Sequence, residues 1–324
     1  MRAKVVEERS LSLGTRWWIF VQERFPLGEH LVSILFLVLA NAIVAIRFLE
    51  TTMNPGNIVI ALIVSLLFFF RLRCFDEVKD FDIDNSINQD RPLPRGLLTV
   101  KQVKEMFVCL TLLEIGLVSL IGSPAVVVHL LAVAYSYLMY KEFFIGKYLS
   151  PHLTTYAVTH TFVSVLVGYS IYAQVLNREL WFMPKALLIF GFCNWALFNL
   201  FEFARKTYAK DEEREGIDTY SSLFRPIGAV LLSISQIIAA VALLGYLAIN
   251  QPSFSDVISS GGLYVHFCIV VIVLAAGVIY VAHPIRSTAS LFRTISSAYF
   301  IIFYLVIVVQ GSSLLPRSFS VFLD

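Results

Sequence analysis

The chain has 324 residues, of which 58% are hydrophobic, 14% aromatic and only 15% charged. Soluble domains are about half apolar and about a quarter charged, so this composition excludes a soluble globular protein and indicates an integral membrane protein. The net charge of +2 says little by itself, because the distribution of the charges is more informative.

Nine segments of the chain are long and apolar enough to cross a bilayer, which takes about 20 mainly apolar residues. They are predicted at about 30–49, 56–72, 103–121, 125–140, 151–173, 182–203, 226–248, 262–282 and 294–312. Proline and glycine clusters fall between several of them, where turns are required. Since only helices and closed barrels span lipid, and alternating barrel patterning is absent, we predict an all-α bundle that forms one transmembrane domain over residues 1–324.

Basic residues are divided unevenly between the two sides of this predicted bundle. Of the 25 Lys and Arg, the side opposite the N-terminus has only Arg47, Arg178, Lys185 and Arg317. Loops rich in Lys and Arg stay in the cytoplasm, so we predict a cytoplasmic N-terminus and a C-terminus outside. The two long polar loops, 73–102 and 204–225, then share the cytoplasmic face, where we expect the chemistry.

Acidic residues open the first of these loops at a regular spacing. If the second span continues as a helix, Asp76, Asp80 and Asp84 lie on one stripe, which Glu77 borders. Ionised carboxylates on one helix face repel each other, each pair by about 0.2–0.5 kcal/mol. A Mg²⁺ ion reverses that repulsion, because it binds carboxylate oxygens together with phosphate oxygens. An ordinary solvated helix end is the alternative interpretation.

The second polar loop begins in a similar way. Asn199, Glu202 and Lys206 share one helix face, and three acids follow, Asp211, Glu212 and Glu213. Two acidic loops with interleaved Arg and Lys on one membrane face predict Mg²⁺ ions that bind a polyanion. A diphosphate with a lipophilic tail fits such a site, because metal ions and cations neutralise the diphosphate as it leaves.

The first loop resembles the signature of the UbiA superfamily of intramembrane prenyltransferases, Asn-Asp-x-x-Asp-x-x-x-Asp followed by Arg-Pro-Leu-Pro-x-Gly. Here the acids read Asp76-Glu77-x-x-Asp80-x-x-x-Asp84, and RPLPRG follows at 91–96. The span count and a second acidic motif agree, so the resemblance covers nearly the whole chain.

Two positions of the first motif and the whole second motif depart from that family pattern. Asp76 stands where the family has Asn, and Glu77 where it has Asp. The second motif, usually Asp-x-x-Asp-x-x-x-Asp before GIxT, is replaced by Glu202-x-x-Arg205-Lys206 and a later acid run before GIDT at 216–219. These differences separate the chain from the quinone and haem branches.

The resemblance implies a multi-pass, Mg²⁺-dependent enzyme that ionises an isoprenyl diphosphate and transfers the prenyl group to a lipophilic, most simply aromatic, acceptor. A terpene cyclase acting on farnesyl or geranylgeranyl diphosphate without an acceptor is the first alternative. A cation permease is disfavoured, because its acids would lie at the membrane midplane. Besides substrates, only membrane lipid is expected as a partner, and nucleic acid is not.

The resemblance also implies a set of site residues. The expected metal ligands are Asp76, Glu77, Asp80, Asp84, Glu202 and Glu213, and the catalytic ones among them are Asp76, Asp80, Asp84 and Glu202. The expected diphosphate ligands are Arg91, Arg95, Lys141, Lys206 and Lys210.

Polar groups within the spans are costly and tend to face a cavity or the bundle interior. Candidates for cavity lining are Asn41, His160 and Asn199. For Asn41 an interhelical hydrogen bond is an equally good interpretation. For His160 a satisfied structural role is favoured over that of a base, and Glu114 is predicted to be a paired interior acid.

Overall fold

The computed structural model describes residues 10–49, 54–251 and 260–312, together with Glu8, Thr51, Thr52 and Phe254. Within these ranges the chain forms thirteen α-helices, two short 3₁₀ turns and no strand. The helices are α1 (Leu13–Arg24), α2 (Leu27–Phe48), α3 (Pro55–Lys79), α4 (Phe81–Ile87), α5 (Val100–Ser119), α6 (Ser123–Tyr140), α7 (Gly146–Leu149), α8 (Leu153–Thr161), α9 (Val163–Leu176), α10 (Lys185–Arg205), α11 (Tyr220–Asn250), α12 (Ser260–Ala282) and α13 (Arg286–Ser312).

The all-helical prediction is confirmed, and each of the nine predicted spans lies on a helix or, for the fifth, on the pair α8 and α9. In the part of the chain that the structure describes, seven helices are long and apolar enough to cross a membrane, namely α2, α3, α6, α10, α11, α12 and α13. Helix α5 includes several ionisable residues, and a turn at Phe162 divides α8 from α9. The count of nine spans and the orientation of the termini stay predictions.

Helix α11 contains a break close to where its span was predicted to begin. Arg225 has a left-handed φ of 62°, and Pro226 follows it inside the helix. Proline removes a backbone donor and disfavours the α conformation of the residue before it. The helix therefore consists of one turn from Tyr220 and a long apolar segment after Pro226.

The helices pack in two groups. Helices α3, α5, α6 and α9 contact one another, as do α10, α11, α12 and α13, and α2 packs against members of both. Where the groups meet, Asn41 on α2 accepts hydrogen bonds from Tyr172 (2.8 Å) and Asn194 (3.0 Å). Asn194 in turn accepts one from Tyr304 at 2.9 Å. Asn41 thus joins helices across the bundle centre.

A buried ion pair holds α3 against α5. Arg71 donates to both carboxylate oxygens of Glu114, at 2.8 and 2.9 Å, and to Ser136 at 2.7 Å. Both charged side chains are completely buried. Glu114 is therefore paired inside the bundle, and the pair anchors α3 five residues before Asp76.

We expect removal of one partner of this ion pair to lower the free energy of unfolding more than removal of both partners. Arg71→Met leaves a buried carboxylate without its cation, which costs about 3–5 kcal/mol in buried pairs. The double variant Arg71→Met with Glu114→Leu removes both charges and should recover most of that loss. Thermal unfolding in detergent measures the three proteins, and a double variant as unstable as Arg71→Met would contradict the expectation.

A second ion pair ties the loop before α11 to α13. Arg293 donates to the two Glu212 oxygens at 2.9 and 2.8 Å, and also to the Thr207 carbonyl. These hydrogen bonds hold the pKa of Glu212 below its ordinary value of 4.5. A depressed carboxyl pKa stabilises the fold above the unfolded pKa, and that stabilisation is lost as pH falls through the folded pKa.

Glu212→Gln should therefore lower the melting temperature at pH 7, by an amount equivalent to about 1 kcal/mol. The difference from the parent should shrink as the pH falls below the ordinary carboxyl pKa of 4.5 and through the lower pKa that Glu212 has in the fold. Glu215 is exposed, so Glu215→Gln is the control and should leave the melting temperature unchanged at pH 7 and at low pH. A Glu212→Gln difference that stays the same size from pH 7 down to the lowest pH at which the parent is still folded would contradict the assignment.

Candidate active site at the ends of helices α3 and α10

The acidic stripe keeps its register although α3 ends sooner than the pattern suggests. Helix α3 ends at Lys79 and α4 begins at Phe81, with Asp80 between them. The N–H of Asp80 donates to the Asp76 carbonyl at 2.8 Å, and the N–H of Asp84 to the Asp80 carbonyl at 2.8 Å. The four-residue spacing predicted for these aspartates is therefore present across the junction.

Two acids of this segment are paired with arginines. Glu77 is only 2% exposed; its Oε1 accepts from Arg24 at 2.6 Å and forms an ion pair with Arg73 at 2.8 Å, whereas its Oε2 has no hydrogen-bond partner among the described residues. Asp84, also 2% exposed, accepts from Arg91 at 2.6 Å and from Asn88. These carboxylates were predicted as metal ligands, and here both hold neighbouring segments together.

Asp76 and Asp80 differ from Glu77 and Asp84 because no described arginine pairs with them. Across the residues that the structure describes, neither side chain has an ion pair within 4.0 Å or a hydrogen bond. Burial raises the pKa of Asp80, and the nearby charges of Asp76 and Asp84 raise it further. Negative charge at this junction is therefore incompletely compensated.

The end of α10 brings a second charged group to the same place. Glu202 accepts from Arg205 at 2.6 Å and lies 2.9 Å from Lys206. Arg205 and Glu202 are close enough for their charges to act on Asp76. One turn earlier, buried Asn199 accepts from Thr161 and donates to Gln236 at 3.2 Å, which joins α8, α10 and α11.

Glu213, one of the acids after α10, is used where its own loop meets α11. Glu213 accepts from Thr219 at 2.6 Å and from Ser221 at 2.8 Å, so it stabilises the start of α11. Thr219 caps that helix in a capping box with Ser222. Lys210, a predicted diphosphate ligand, is exposed. Glu213 is thus not brought to the stripe as a free carboxylate.

The two arginines of the RPLPRG segment both pair with carboxylates, but with acids of different segments. Arg91 faces Asp84, whereas Arg95 donates to Glu23 at 2.7 and 2.8 Å and to Glu8 at 2.8 Å. Leu93 is buried, and Gly96 has a φ of 78°, which favours glycine. Arg95 therefore ties this loop to the N-terminal segment.

Lys79, which the acidic pattern alone did not single out, lies in the site. Its Nζ donates to the Tyr156 hydroxyl and is 3.8 Å from Glu142. The Tyr156 ring stacks on His160, with centroids 3.9 Å apart. The signal available in the sequence was a lysine three residues after Asp76. Lys141, adjacent to Glu142, is exposed.

These residues suit a metal that completes its coordination with other ligands. Among the described residues, no three acidic, His or Cys side chains converge into a ready metal cluster. Mg²⁺ commonly takes only one or two carboxylates, with waters and substrate phosphates supplying the rest. Two unpaired aspartates beside Arg and Lys fit that pattern.

The fold is shared with solved membrane proteins at low sequence identity. A digeranylgeranylglyceryl phosphate synthase structure is 14% identical and covers 93% of this chain and 100% of its own, with a TM-score of 0.64. A UbiA homolog from Aeropyrum pernix K1 is 13% identical, covering 86% of this chain and 98% of its own, with a TM-score of 0.61.

A UbiA homolog from Archaeoglobus fulgidus bound to DMAPP and Mg²⁺ is 16% identical, covering 88% of this chain and 97% of its own, with a TM-score of 0.53. No curated protein matches the chain in sequence. The profile of the UbiA prenyltransferase family matches residues 33–305. Together with its apolar helices, this match shows that the chain is a multi-pass integral membrane protein and belongs to the UbiA prenyltransferase family.

Proposed function

We propose that the chain is a Mg²⁺-dependent enzyme that ionises an isoprenyl diphosphate and transfers the prenyl group to a lipophilic acceptor. The observation that carries this proposal is the pair of uncompensated carboxylates, Asp76 and Asp80, beside the cationic end of α10. Family membership and the A. fulgidus homolog bound to DMAPP and Mg²⁺ support the same substrate class.

Asp76 and Asp80 are the protein oxygens that we assign to the metal. When bound, Mg²⁺ supplies stabilisation of the negative charge that develops on the leaving diphosphate. Glu77, Asp84, Glu202 and Glu213 are then positioning acids, because each already accepts from neighbouring side chains. Asp84 orients Arg91, and Glu202 orients Arg205 and Lys206.

Cations around the aspartates would bind the diphosphate. Arg91 keeps a third of its side chain exposed beside Asp84, and Lys206 keeps 28% exposed beside Glu202. Lys141 and Lys210 are exposed and complete the predicted cationic set. Arg95, by contrast, is only 9% exposed and engaged by Glu8 and Glu23, so we assign it to the fold of the loop.

Position in the membrane explains the choice of substrate. The aspartates follow the apolar part of α3, so a diphosphate at the polar end leaves its lipophilic tail among the helices. Tyr156 and His160 stack on each other beside the same end and would shield one side of a substrate bound there. By the distribution of Lys and Arg, this end faces the cytoplasm.

Asp80→Asn should abolish diphosphate chemistry, because the neutral amide removes one of the two unpaired metal-binding carboxylates. We expect pyrophosphate release from geranylgeranyl or farnesyl diphosphate to fall by about 100-fold or more, as when a preorganised charge-stabilising group is lost. Asp82→Asn is the matched control, since Asp82 is exposed and two residues away. Full turnover by Asp80→Asn would refute the metal assignment.

The same assay separates transfer from cyclisation. Purified enzyme with Mg²⁺ and the diphosphate alone should release little pyrophosphate, and a lipid extract that contains acceptors should restore turnover. Release of pyrophosphate together with a terpene hydrocarbon or alcohol in the absence of acceptor would replace transfer by cyclisation. Ion flux in liposomes without any diphosphate chemistry would contradict both.

A further inference from the structure

Lys79 is held at the site by two side chains from other elements. It is the last residue of α3, and its Nζ donates to the Tyr156 hydroxyl on α8. Glu142 Oε1 lies 3.8 Å from the same nitrogen. The side chain is only 19% exposed, so the ammonium group is fixed within the protein.

The two partners of Lys79 are themselves held firmly. Tyr156 stacks on His160 with an interplanar angle of 15°, and His160 Nδ1 donates to the Tyr156 carbonyl at 2.7 Å. Glu142 begins a turn in which three consecutive non-glycine residues have left-handed φ values of 48°, 53° and 59°. Such backbone is costly for L-residues and persists only where the surroundings impose it.

Lys79 is also the cation that acts most strongly on the unpaired acids. Its charge is the largest attractive one on Asp76 and again on Asp80. Yet its ammonium nitrogen is not within 4.0 Å of either carboxylate, because Tyr156 and Glu142 hold it aside. The carboxylate oxygens are therefore left accessible to another cation.

We propose that Lys79 has two roles in turn: it is the counterion of Asp76 and Asp80 when no metal is bound, and a diphosphate ligand when metal is bound. This inference rests on the proposed function of the site. An ammonium group has three donors, and the bond to Tyr156 uses one, so donors remain for phosphate oxygens. A compact lysine charge is well suited to phosphate.

The two roles predict opposite effects of one substitution. Lys79→Met removes a positive charge beside Asp76 and Asp80, so Mn²⁺ binding without diphosphate should become about fivefold tighter. The same variant loses a charged hydrogen bond to phosphate, so pyrophosphate binding in the presence of Mg²⁺ should weaken by about 10- to 100-fold. Electron paramagnetic resonance measures the first affinity and calorimetry the second.

Tyr156→Phe tests how Lys79 is positioned. It keeps the ring that stacks on His160 but removes the hydroxyl that holds Nζ, so pyrophosphate binding should weaken by a few fold. In the double variant with Lys79→Met, Tyr156→Phe should add no further loss, because it acts through Lys79. Lys101→Met is the matched control, since that lysine is 85% exposed and pairs with Glu105 on its own helix.

Other outcomes overturn the inference without removing the proposed function. Parental affinities in Lys79→Met, or weaker binding of both Mn²⁺ and pyrophosphate, would contradict the two roles of Lys79. If Asp80→Asn still abolishes Mn²⁺ binding in that case, the assignment of Asp80 to the metal is kept and only the two roles of Lys79 are rejected. If the parent protein binds neither Mn²⁺ nor pyrophosphate with Mg²⁺, the proposed function fails as well.

Discussion

Charge compensation inside an apolar bundle is the constraint on which this structure depends. A buried charge without a partner is very costly, so interior acids must be paired with cations. Glu114 meets this requirement through Arg71, Glu77 through Arg24 and Arg73. Asp76 and Asp80 have no such partner among the described residues, and they are also less enclosed, since Asp76 is exposed and Asp80 is half-buried. Solvent can therefore reach these two carboxylates, as the proposed metal site requires, whereas the neighbouring Glu77 and Asp84 are buried and paired.

The N-terminal helix explains why several charged residues of the first polar loop are unavailable for chemistry. Glu23 and Arg24 of α1 bind Arg95 and Glu77, which pins the loop on both sides of the aspartate stripe. Leu93 of the RPLPRG segment, with Leu97 and Leu98 directly after it, belongs to the same buried cluster as Phe20 and Phe75. A charged loop at a membrane surface is thus largely a folded cap, and its ion pairs fix where Asp76 and Asp80 lie.

Local patterns in the sequence predict the helices and the aspartate register, because hydropathy and four-residue spacing are properties of neighbouring residues. The partners of the charges are not local: Arg24 is 53 residues from Glu77, and Arg293 is 81 from Glu212. No spacing rule reveals such pairs, so the sequence overstates the number of carboxylates available to a metal. The same limit explains why Lys79 was missed, since its partner Tyr156 lies 77 residues away.

The two sides of the site carry unequal charge, and this inequality bears on how a diphosphate would lie. On the α3 side Asp76 and Asp80 have no ion pair within 4.0 Å among the described residues, because Arg91 pairs with Asp84 and Lys79 is held by Tyr156, whereas on the α10 side one glutamate is shared by Arg205 and Lys206. A metal is therefore favoured beside α3, and phosphate oxygens beside α10. A site with carboxylates on both sides would hold metal ions symmetrically. In this chain Glu202 lies between two cations, so under the proposed function α10 would be an anion-binding side, and the diphosphate with its lipophilic tail would then have one preferred direction.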